Sequence, residues 1–421
     1  MWYSNLILVL FTTFHSLFAD QRSLQLQTVV VLFRHGDRTP VDPYPNDPFK
    51  DRSNWPVGFG QLTPRGKMMQ FNLGKFLRNR YGNFLSDQYD ENDIYVRSSD
   101  VDRTLMSAMS NLAGLYPPKE KQIWNPDLMW QPIPVHTVPL EDDNIIGNHA
   151  NCPRLERLGE QVNDLPEIRQ IVTENDWVFK YLTENSGRNM TILWDIDFMY
   201  DCLFIESLYN KTLPDWTKKV FPDEMKTMAD LSFTLSTYTQ EMKRLRGGPI
   251  IQSILDHFHN FIAEQHQLKM LMYSGHDTTL SSLLNSLGMF DPPIGPPYAS
   301  AILIELKKSP DGQYFVSFSY RNDTTRQPYD LYLHDCPKDC PLVTFNDLTK
   351  SVRPDDWIEE CGISLDPTAK AITTFSIGVS LVIVAVLLTS VIITCVRAGK
   401  TYISPPTSIS QTNDYKYFSI N

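Results

Sequence analysis

The sequence has no excess of basic residues and no repeated unit. Its 421 residues include 38 lysines and arginines against 49 aspartates and glutamates, which gives a formal net charge of -11 at pH 7. A protein that binds nucleic acid presents a basic face to the phosphate backbone, so this composition argues against a nucleic-acid partner. Without a repeat the chain is not a solenoid. Its length predicts one large domain with insertions, or two lobes.

Charged residues are absent from Ala371–Val396, near the C-terminal end. A transmembrane helix needs about 20 apolar residues, so we expect this segment to span a membrane. A buried core helix fits poorly, because the segment is apolar on every face. Arg397 and Lys400 follow it and predict a cytoplasmic tail over residues 397–421. That tail is mostly polar, which argues against a GPI-anchor signal.

Basic residues are also missing from the start of the chain, where a short apolar run ends at the small residue Ala19. We interpret residues 1–19 as a secretory signal peptide, although its first residues lack the usual positive charge. A buried N-terminal helix is the alternative. With the C-terminal span, the signal predicts a type I membrane protein whose folded part, residues 20–367, lies in the lumen or outside the cell.

Cysteine is scarce: the chain has six, and five of them precede the predicted span. An odd number in an oxidising compartment leaves one thiol unpaired. The spacing of Cys336 and Cys340 suits a disulfide bond that closes a short loop. A zinc site would need a second pair of ligands, so we expect no metal. N-glycosylation sequons at Asn189, Asn210 and Asn322 lie on the same predicted lumenal side.

The chain has no glycine-rich phosphate loop and no carboxylate cluster with metal-binding spacing. It does have three segments in which an apolar run ends in polar residues. The first is a predicted strand over Leu26–Phe33, followed by RHGDRTP. The second is a strand over Ile94–Val96, followed by RSSDVDR and a helix over Val101–Leu115. The third is a strand over Leu268–Tyr273, followed by SGHD and a helix over Thr278–Leu287.

These segments predict an α/β fold. Continuous apolar strands that alternate with helices indicate a mostly parallel sheet with helices on both faces. The region from about 144 to 247 has helical patterns and few strand signals, so we expect it to form a smaller, mainly helical cap inserted in the sheet domain. Ligands of such sheets bind beyond the carboxyl ends of the strands, so the three polar turns should meet at one edge.

A further helix is predicted after the sequence GQLTP. Thr63 is a suitable N-cap, and Pro64 suits the first helical position, where its missing N–H costs nothing. We expect four apolar residues on the buried face of this helix: Met68, Phe71, Leu73 and Phe76.

The polar turns carry residues that suit one chemistry: Arg34, His35 and Arg38 in the first, Arg103 in the second, and His276 and Asp277 in the third. Guanidinium groups pair with phosphate oxygens. An imidazole among positive charges has a lowered pKa and can be a neutral nucleophile, and a carboxylic acid can protonate a leaving alkoxide. The set predicts phosphoryl transfer through a phosphohistidine, with arginines in place of a metal ion.

Each of these residues also has a purely structural interpretation. His35 can be a loop histidine, and His276 a core histidine bonded to the backbone. Arg103 can form a salt bridge with Asp100 or Asp102 at the start of its helix. The three turns in one chain favour the catalytic interpretation.

The motifs resemble those of the histidine acid phosphatases, in particular the lysosomal and prostatic types. RHGDRTP is similar to their RHGxRxP signature, SGHDTTL to their second motif, and RSSDVDRTLMSA to the segment that supplies a third phosphate-binding arginine. The resemblance runs from about Leu26 to Ile363. It implies an α/β domain beside a smaller helical domain, a metal-independent acid phosphatase without a cofactor, and a homodimer.

Roles for six residues also follow from this resemblance. His35 would be the nucleophile and Asp277 the proton donor. The phosphate would be bound by the remaining four: Arg34, Arg38, Arg103 and His276.

The resemblance also implies two disulfide bonds, Cys152–Cys361 and Cys336–Cys340. Family members usually pair a mid-chain cysteine, here Cys202, with a cysteine after a Pro-Tyr-Ala-Ser stretch. Ala301 stands at that position in this chain, so we expect Cys202 to be the free thiol.

Two other functions remain open at this point. The chain could be a non-catalytic type I membrane protein that binds ligands or mediates adhesion on a phosphatase scaffold. It could also be an inositol-polyphosphate phosphatase of the same superfamily, which would need extra lysines or arginines around the pocket. The tail has Tyr-x-x-apolar patterns at Tyr415 and Tyr417, which resemble endocytic and lysosomal sorting signals. We therefore expect the protein in the lysosomal membrane or in the membrane of the cell surface.

Overall fold

The computed structural model describes residues 24–147, 150–363 and 389–390. The predicted signal peptide (1–19), the predicted tail (397–421) and all of the predicted span (371–396) except 389–390 lie outside the described residues. Within the described ranges, no helix combines the length and the apolar character that crossing a bilayer requires.

A seven-stranded sheet lies at the centre of the fold, with the order β2-β3-β1-β4-β5-β6 and with β7 beside β5. The strands are β1 Gln25–Arg34, β2 Ile94–Ser98, β3 Met270–Gly275, β4 Ala301–Lys308, β5 Tyr314–Arg321, β6 Tyr329–Leu331 and β7 Cys340–Pro341. Both β1 and β2 run parallel to β3. The pairs of β1 with β4, β4 with β5, and β5 with β6 and β7 are antiparallel. The sheet is therefore mixed, and the prediction of a mostly parallel sheet is wrong.

The antiparallel half follows from a tight turn between β4 and β5. The Ser309 N–H donates to the Gln313 carbonyl at 2.9 Å, and Gly312 adopts a φ of 88°, in the left-handed region that suits glycine. Parallel neighbours need a long crossover connection, so a turn of this length forces β5 to run back along β4.

Helices make up most of the remaining described chain: α1 Pro64–Tyr81, α2 Asp102–Leu115, α3 Pro153–Val162, α4 Pro166–Glu174, α5 Asp176–Ser186, α6 Leu193–Leu208, α7 Asp223–Leu235, α8 Gln240–Met242, α9 Gly248–Ile262, α10 Asp277–Ser286, α11 Leu342–Thr349 and α12 Trp357–Glu360. A π-helical turn, Lys243–Gly247, joins α8 to α9. Short 3-10 turns lie at Arg52–Asn54, Glu120–Gln122, Asp215–Lys219 and Lys350–Val352.

Helices cover both faces of the sheet, as predicted. Alternate residues of β1 point to opposite sides: Val29, Val31 and Phe33 pack with α1 and α2, and Val30 and Leu32 pack with α9 and α10. All five are fully buried. A strand covered on both sides has no polar face, which is why β1 is continuously apolar in sequence.

The helices α3 to α8 pack around a third group of buried side chains. In the described part of residues 144–247, every regular element is helical. The Cys152–Cys361 disulfide ties the start of α3 to the residue after α12. This helical layer occupies the region for which the sequence predicts a cap, and the domain boundaries stay a prediction.

The start of α1 agrees with the prediction, but its buried face does not. The Thr63 hydroxyl accepts from an amide of the first turn at 3.0 Å, and Leu73 is fully buried, whereas Met68 is 58% exposed. The reason is close packing against α2: a Cβ on Gly74 would lie 1.9 Å from the Asn111 carbonyl oxygen. Small residues, rather than the largest apolar ones, therefore form the contact.

Candidate active site

The three parallel strands carry the predicted site residues to one edge of the sheet. Arg34 at the end of β1 lies opposite Gly275 at the end of β3. Ser98 at the end of β2 lies opposite Ser274. Because the three strands run in the same direction, the polar turns that follow them meet beyond their carboxyl ends.

His35 lies at the centre of this group and is only 1% exposed. Its Nδ1 is 2.8 Å from the Gly36 carbonyl oxygen. A carbonyl can only accept, so Nδ1 carries the proton and Nε2 keeps its lone pair. Burial lowers the pKa of His35 well below its usual value, and the charges of Arg34 and Arg103 lower it further. The ring is therefore neutral, and Nε2 is suited to act as a nucleophile.

The turn after β1 is fixed by close packing and by a buried carboxylate. A Cβ on Gly36 would lie 2.3 Å from the Gly66 carbonyl oxygen, so only glycine fits there. Asp37 is fully buried. It accepts from the Thr63 hydroxyl at 2.5 Å and the Tyr209 hydroxyl at 2.6 Å. The aspartate of RHGDRTP thus joins the turn to the start of α1 and to the end of α6.

Arg34 is held by three partners. Its Nη1 donates to the Pro296 carbonyl at 2.6 Å, and its Nη2 lies 2.5 Å from Asp277 Oδ2. Its guanidinium carbon lies 4.1 Å from the centroid of the Tyr298 ring, within cation–π distance. These contacts fix the plane of the guanidinium beside His35.

Arg38 is bonded to a residue that the sequence did not point to. Its Nη1 donates to Asp201 Oδ2, on α6, at 2.9 Å. Burial alone would lower the pKa of Arg38, but the Asp201 carboxylate more than offsets it, so the pKa is raised. Arg38 therefore stays charged inside the site.

Arg103 and His276 form a further contact within the group. Arg103 Nη2 donates to His276 Nδ1 at 3.3 Å. Since a guanidinium only donates, Nδ1 accepts, and the His276 Nε2–H donates to the Ser99 hydroxyl at 2.9 Å. Burial, followed by the charge of Arg38, lowers the pKa of Arg103 to about 10, which leaves it cationic in acid. Arg103 thus points into the site, while Asp102 accepts from the Gln61 amide.

Asp277 is the first residue of α10. Burial would raise its pKa, but Arg34 and Arg38 outweigh burial, and the pKa lies below its usual value. The Thr278 N–H donates to its Oδ1 at 2.7 Å. Asp277 is thus an ionised partner of Arg34.

A cavity of about 1440 Å³ opens beside Arg34, Arg38 and Asp277. The helical layer supplies much of its wall through α6 and α7, including Asp197 and Asp201. Burial and the charges of Asp201 and Asp277 raise the pKa of Asp197 well above its usual value. Sequence reasoning missed both aspartates; their spacing of four on one helix is the signal that places them on one face.

The cysteines have the predicted states. Disulfide bonds join Cys152 to Cys361 and Cys336 to Cys340. Cys202 is a free thiol and is buried. The pairing that the motifs implied is therefore confirmed.

The three sequon asparagines differ in accessibility. Asn189 and Asn210 are exposed, and Asn322 is half-buried at the cavity wall. Glycosylation at these positions stays a prediction.

Comparison with known proteins gives one consistent family. The model of the histidine phosphatase superfamily (branch 2) matches residues 25–321. Human prostatic acid phosphatase is 42% identical over 358 residues, which cover 84% of this chain and 92% of the relative. Human lysosomal acid phosphatase is 39% identical over 351 residues, which cover 82% of each chain.

Solved structures share the fold at low identity. Hafnia alvei phytase in complex with myo-inositol hexakis sulphate superposes with a TM-score of 0.61 at 17% identity, and the match covers 80% of this chain and 98% of the phytase. At this identity the likeness speaks for the fold alone.

Proposed function

Because this chain belongs to branch 2 of the histidine phosphatase superfamily, we propose that it is an acid phosphatase that hydrolyses phosphate monoesters through a phosphohistidine at His35. One observation carries this proposal: a buried, neutral imidazole with an available Nε2 lies among guanidinium groups at the ends of parallel strands. Arginines with paired donors suit the oxygens of a phosphoryl group.

The first step transfers the phosphoryl group to the enzyme. The guanidiniums of Arg34, Arg38 and Arg103 bind the phosphate oxygens, and His276 accepts from Arg103 through Nδ1 and so holds that guanidinium in place. His35 Nε2 forms a bond with phosphorus while the bond from phosphorus to the ester oxygen breaks. That oxygen takes a proton from Asp277 and leaves as the alcohol. The arginines stabilise the charge on the phosphoryl oxygens, a role that metal ions have in other phosphatases.

The acid preference follows from Asp277. In the unliganded structure, Arg34 holds the pKa of Asp277 low. A bound phosphate dianion pairs with Arg34 and places negative charge beside the carboxylate of Asp277. Both effects raise the pKa of Asp277. In acid the carboxyl group then takes up the proton that the leaving oxygen needs.

The second step returns the enzyme to its starting state. A water molecule attacks phosphorus, the bond between phosphorus and His35 Nε2 breaks, and Asp277 accepts the proton of the water. Inorganic phosphate then leaves. When phosphate leaves, Arg34 pairs with Asp277 again and Asp277 releases the proton, which restores the ionised starting state.

The cavity charges favour simple monoesters over inositol polyphosphates. Arg65, Lys226 and Arg326 add positive charge to the wall. Two of them are already neutralised, because Lys226 bonds to Asp230 and Arg326 to Asp323. The wall therefore offers no surplus of bases for several further phosphate groups. The complete set of six site residues likewise favours an enzyme over a binding protein.

We further propose that the enzyme is a glycosylated type I membrane protein, with its catalytic domain in the lysosomal lumen or outside the cell, and that it forms a homodimer. The two disulfide bonds support an oxidising compartment. The exposure of Asn189 and Asn210 supports their glycosylation.

A pH–rate profile of the purified protein tests the proposed reaction. The assay uses para-ethylphenyl phosphate with a chelator in excess. We expect turnover that is highest in acid, survives the chelator, and is lost in the His35→Ala variant. Turnover that disappears with the chelator, or that persists near the wild-type rate in His35→Ala, would contradict the proposal.

A further inference from the structure

The charged residues that line the cavity are almost completely paired. Four of its five basic residues bond to carboxylates, in the pairs Arg34–Asp277, Arg38–Asp201, Lys226–Asp230 and Arg326–Asp323. The fifth, Arg65, is exposed at the cavity wall. Five carboxylates line the same cavity, and the one outside these pairs is Asp197.

Asp197 lies one helical turn before Asp201 on α6, so both carboxyl groups point from the same face of the helix into the cavity. Asp197 is close enough to Arg34 and Arg38 for their charges to act on it. Across the described residues, however, no ion pair joins it to a basic side chain.

Substrate binding changes this balance. The phosphate dianion takes the donors of Arg34 and Arg38, which weakens their bonds to Asp277 and Asp201. Asp277 becomes neutral when it takes up its proton. Asp201 then lies beside the leaving group without a full counter-charge, in a partly dehydrated cavity where charges interact strongly. Burial, followed by the charges of Asp201 and Asp277, keeps the pKa of Asp197 above its usual value, so Asp197 stays protonated beside an anion, and a cation beside it favours its ionised form.

The same wall is rich in aromatic rings, which attract cations to their faces. Trp194, Phe198 and Tyr200 line the cavity from α6, and Tyr298 lines it from the segment before β4. Cations of the protein already use three of these rings, since Arg34 lies 4.1 Å from the centroid of Tyr298, Arg188 lies 3.9 Å from that of Phe198, and the Lys226 ammonium lies 5.8 Å from that of Tyr200.

From this arrangement we propose that Asp197 and Asp201 are specificity-determining residues, which select monoesters whose leaving group is apolar or aromatic and carries a positive charge, such as a protonated amine. A leaving group with a second negative charge is repelled by the Asp201 carboxylate. This inference rests on the proposed phosphatase activity and adds its substrate class.

Three aryl phosphates with matched leaving groups test the inference. They are O-phosphotyramine, which is cationic, para-ethylphenyl phosphate, which is neutral, and para-(carboxyethyl)phenyl phosphate, which is anionic. The three phenols have similar reactivity, so differences in kcat/KM report charge recognition. At a pH of about 6, where the amine and the carboxylate are both ionised, we expect kcat/KM to fall from the cationic to the anionic substrate by about tenfold or more.

Two variants and a control separate the aspartates from the rest of the cavity. In Asp201→Asn, we expect the ratio of cationic to anionic kcat/KM to fall several-fold toward one. In Asp197→Asn, whose side chain cannot ionise beside a cation, we expect a smaller fall in the same direction. Glu184→Gln removes one negative charge from an exposed position on α5 outside the cavity, and it should leave the ratio unchanged. The ratio is informative even when Asp201→Asn lowers all three rates through Arg38.

The outcomes distinguish the two proposals. A wild-type enzyme that does not hydrolyse para-ethylphenyl phosphate contradicts the proposed function. A wild-type enzyme that hydrolyses it but treats the three substrates alike, or prefers the anionic one, overturns this inference alone. A clear cation preference that neither variant reduces also overturns it, because another group would then supply the selectivity.

Discussion

Arg34 and Asp277 form an ion pair in which Nη2 and Oδ2 lie 2.5 Å apart. One is expected to bind the phosphate and the other to protonate the leaving group, so the contact couples the two events. A phosphate that engages Arg34 weakens the bond to Asp277 and removes what held its pKa low. Substrate binding itself thereby prepares the acid.

This coupling predicts that kcat and kcat/KM fall at different pH values as the pH rises. The profile of kcat/KM reports the free enzyme and that of kcat the enzyme–substrate complex. Asp277 must be protonated to act, and its pKa is lower in the free enzyme. We therefore expect the fall in activity with rising pH to begin at higher pH for kcat than for kcat/KM.

Both profiles are measured on para-ethylphenyl phosphate, and kcat/KM is corrected for the second ionisation of the substrate at a pKa of about 6. Limbs that coincide would show that substrate binding does not change the pKa of Asp277. An Asp277→Asn variant that keeps the same limb in kcat would assign it to another group.

The role of Asp277 as proton donor predicts a dependence on the leaving group. Asparagine cannot supply a proton, so Asp277→Asn should slow para-ethylphenyl phosphate by about 10²–10⁴-fold. It should slow para-nitrophenyl phosphate much less, because nitrophenolate leaves readily without a proton. Steady-state rates on the two substrates give the comparison.

Asp100→Asn is the matched control, since Asp100 is an exposed carboxylate next to the site. It should leave both rates near wild type. Equal losses on both substrates in Asp277→Asn would point to disturbed phosphate binding through Arg34 rather than to proton transfer.

A buried pair of carboxyl groups predicts that stability falls as the pH rises. Asp47 is 2% exposed and Glu206 is fully buried. Burial, followed by the charge of Asp47, raises the pKa of Glu206 to about 8 from the ordinary value of 4.5. The folded protein thus keeps a proton that the unfolded chain releases above about pH 4.5, and the stability present in acid is lost as the pH rises toward 8.

The measurement is the free energy of unfolding by urea at pH 5 and at pH 8. We expect a loss of roughly 2–4 kcal/mol in the wild type and a much smaller loss in Glu206→Gln. Glu184→Gln removes an exposed carboxylate on α5 and should keep the wild-type difference. If the wild-type free energy of unfolding is the same at pH 5 and at pH 8, the pKa of Glu206 is not raised.

The two disulfide bonds should contribute unequally to stability. Cys152–Cys361 closes a sequence separation of 209 residues, and Cys336–Cys340 closes one of four. Chain entropy predicts that removing the long-range bond costs about 5 kcal/mol and removing the short one about 2 kcal/mol. Double serine variants of each pair, unfolded in urea, provide the test, and equal losses would show that loop entropy does not dominate.

The sequence predicts the position of the candidate site well because its residues lie at the ends of buried strands or in the turns and helix starts that follow them. Once β1, β2 and β3 are parallel neighbours, the positions of His35, Arg103 and His276 follow from the register. The antiparallel half of the sheet is harder to predict. Its strands are as apolar as β1, and only the short turn at Gly312 reveals their direction.

The carboxylates of the cavity could not be assigned from sequence. Asp197 and Asp201 lie four residues apart on α6, a spacing that equally suits a solvated helix face. Their role depends on the position of α6 beside the turn after β1, which brings Asp201 to Arg38 across a separation of 163 residues. Sequence patterns show the periodicity within one helix or strand, and they do not predict contacts between residues that are far apart in the chain.

The central claim is that His35 carries the phosphoryl group, and trapping of the phosphoenzyme tests it most directly. The purified protein is mixed with a radiolabelled phosphate monoester and quenched within the first turnover. It is then digested at alkaline pH, where phosphohistidine is stable, and analysed by mass spectrometry. We predict an acid-labile phosphate on His35 that is absent from His35→Ala. Turnover without any phosphoenzyme, or a phosphate on a different residue, would contradict the account.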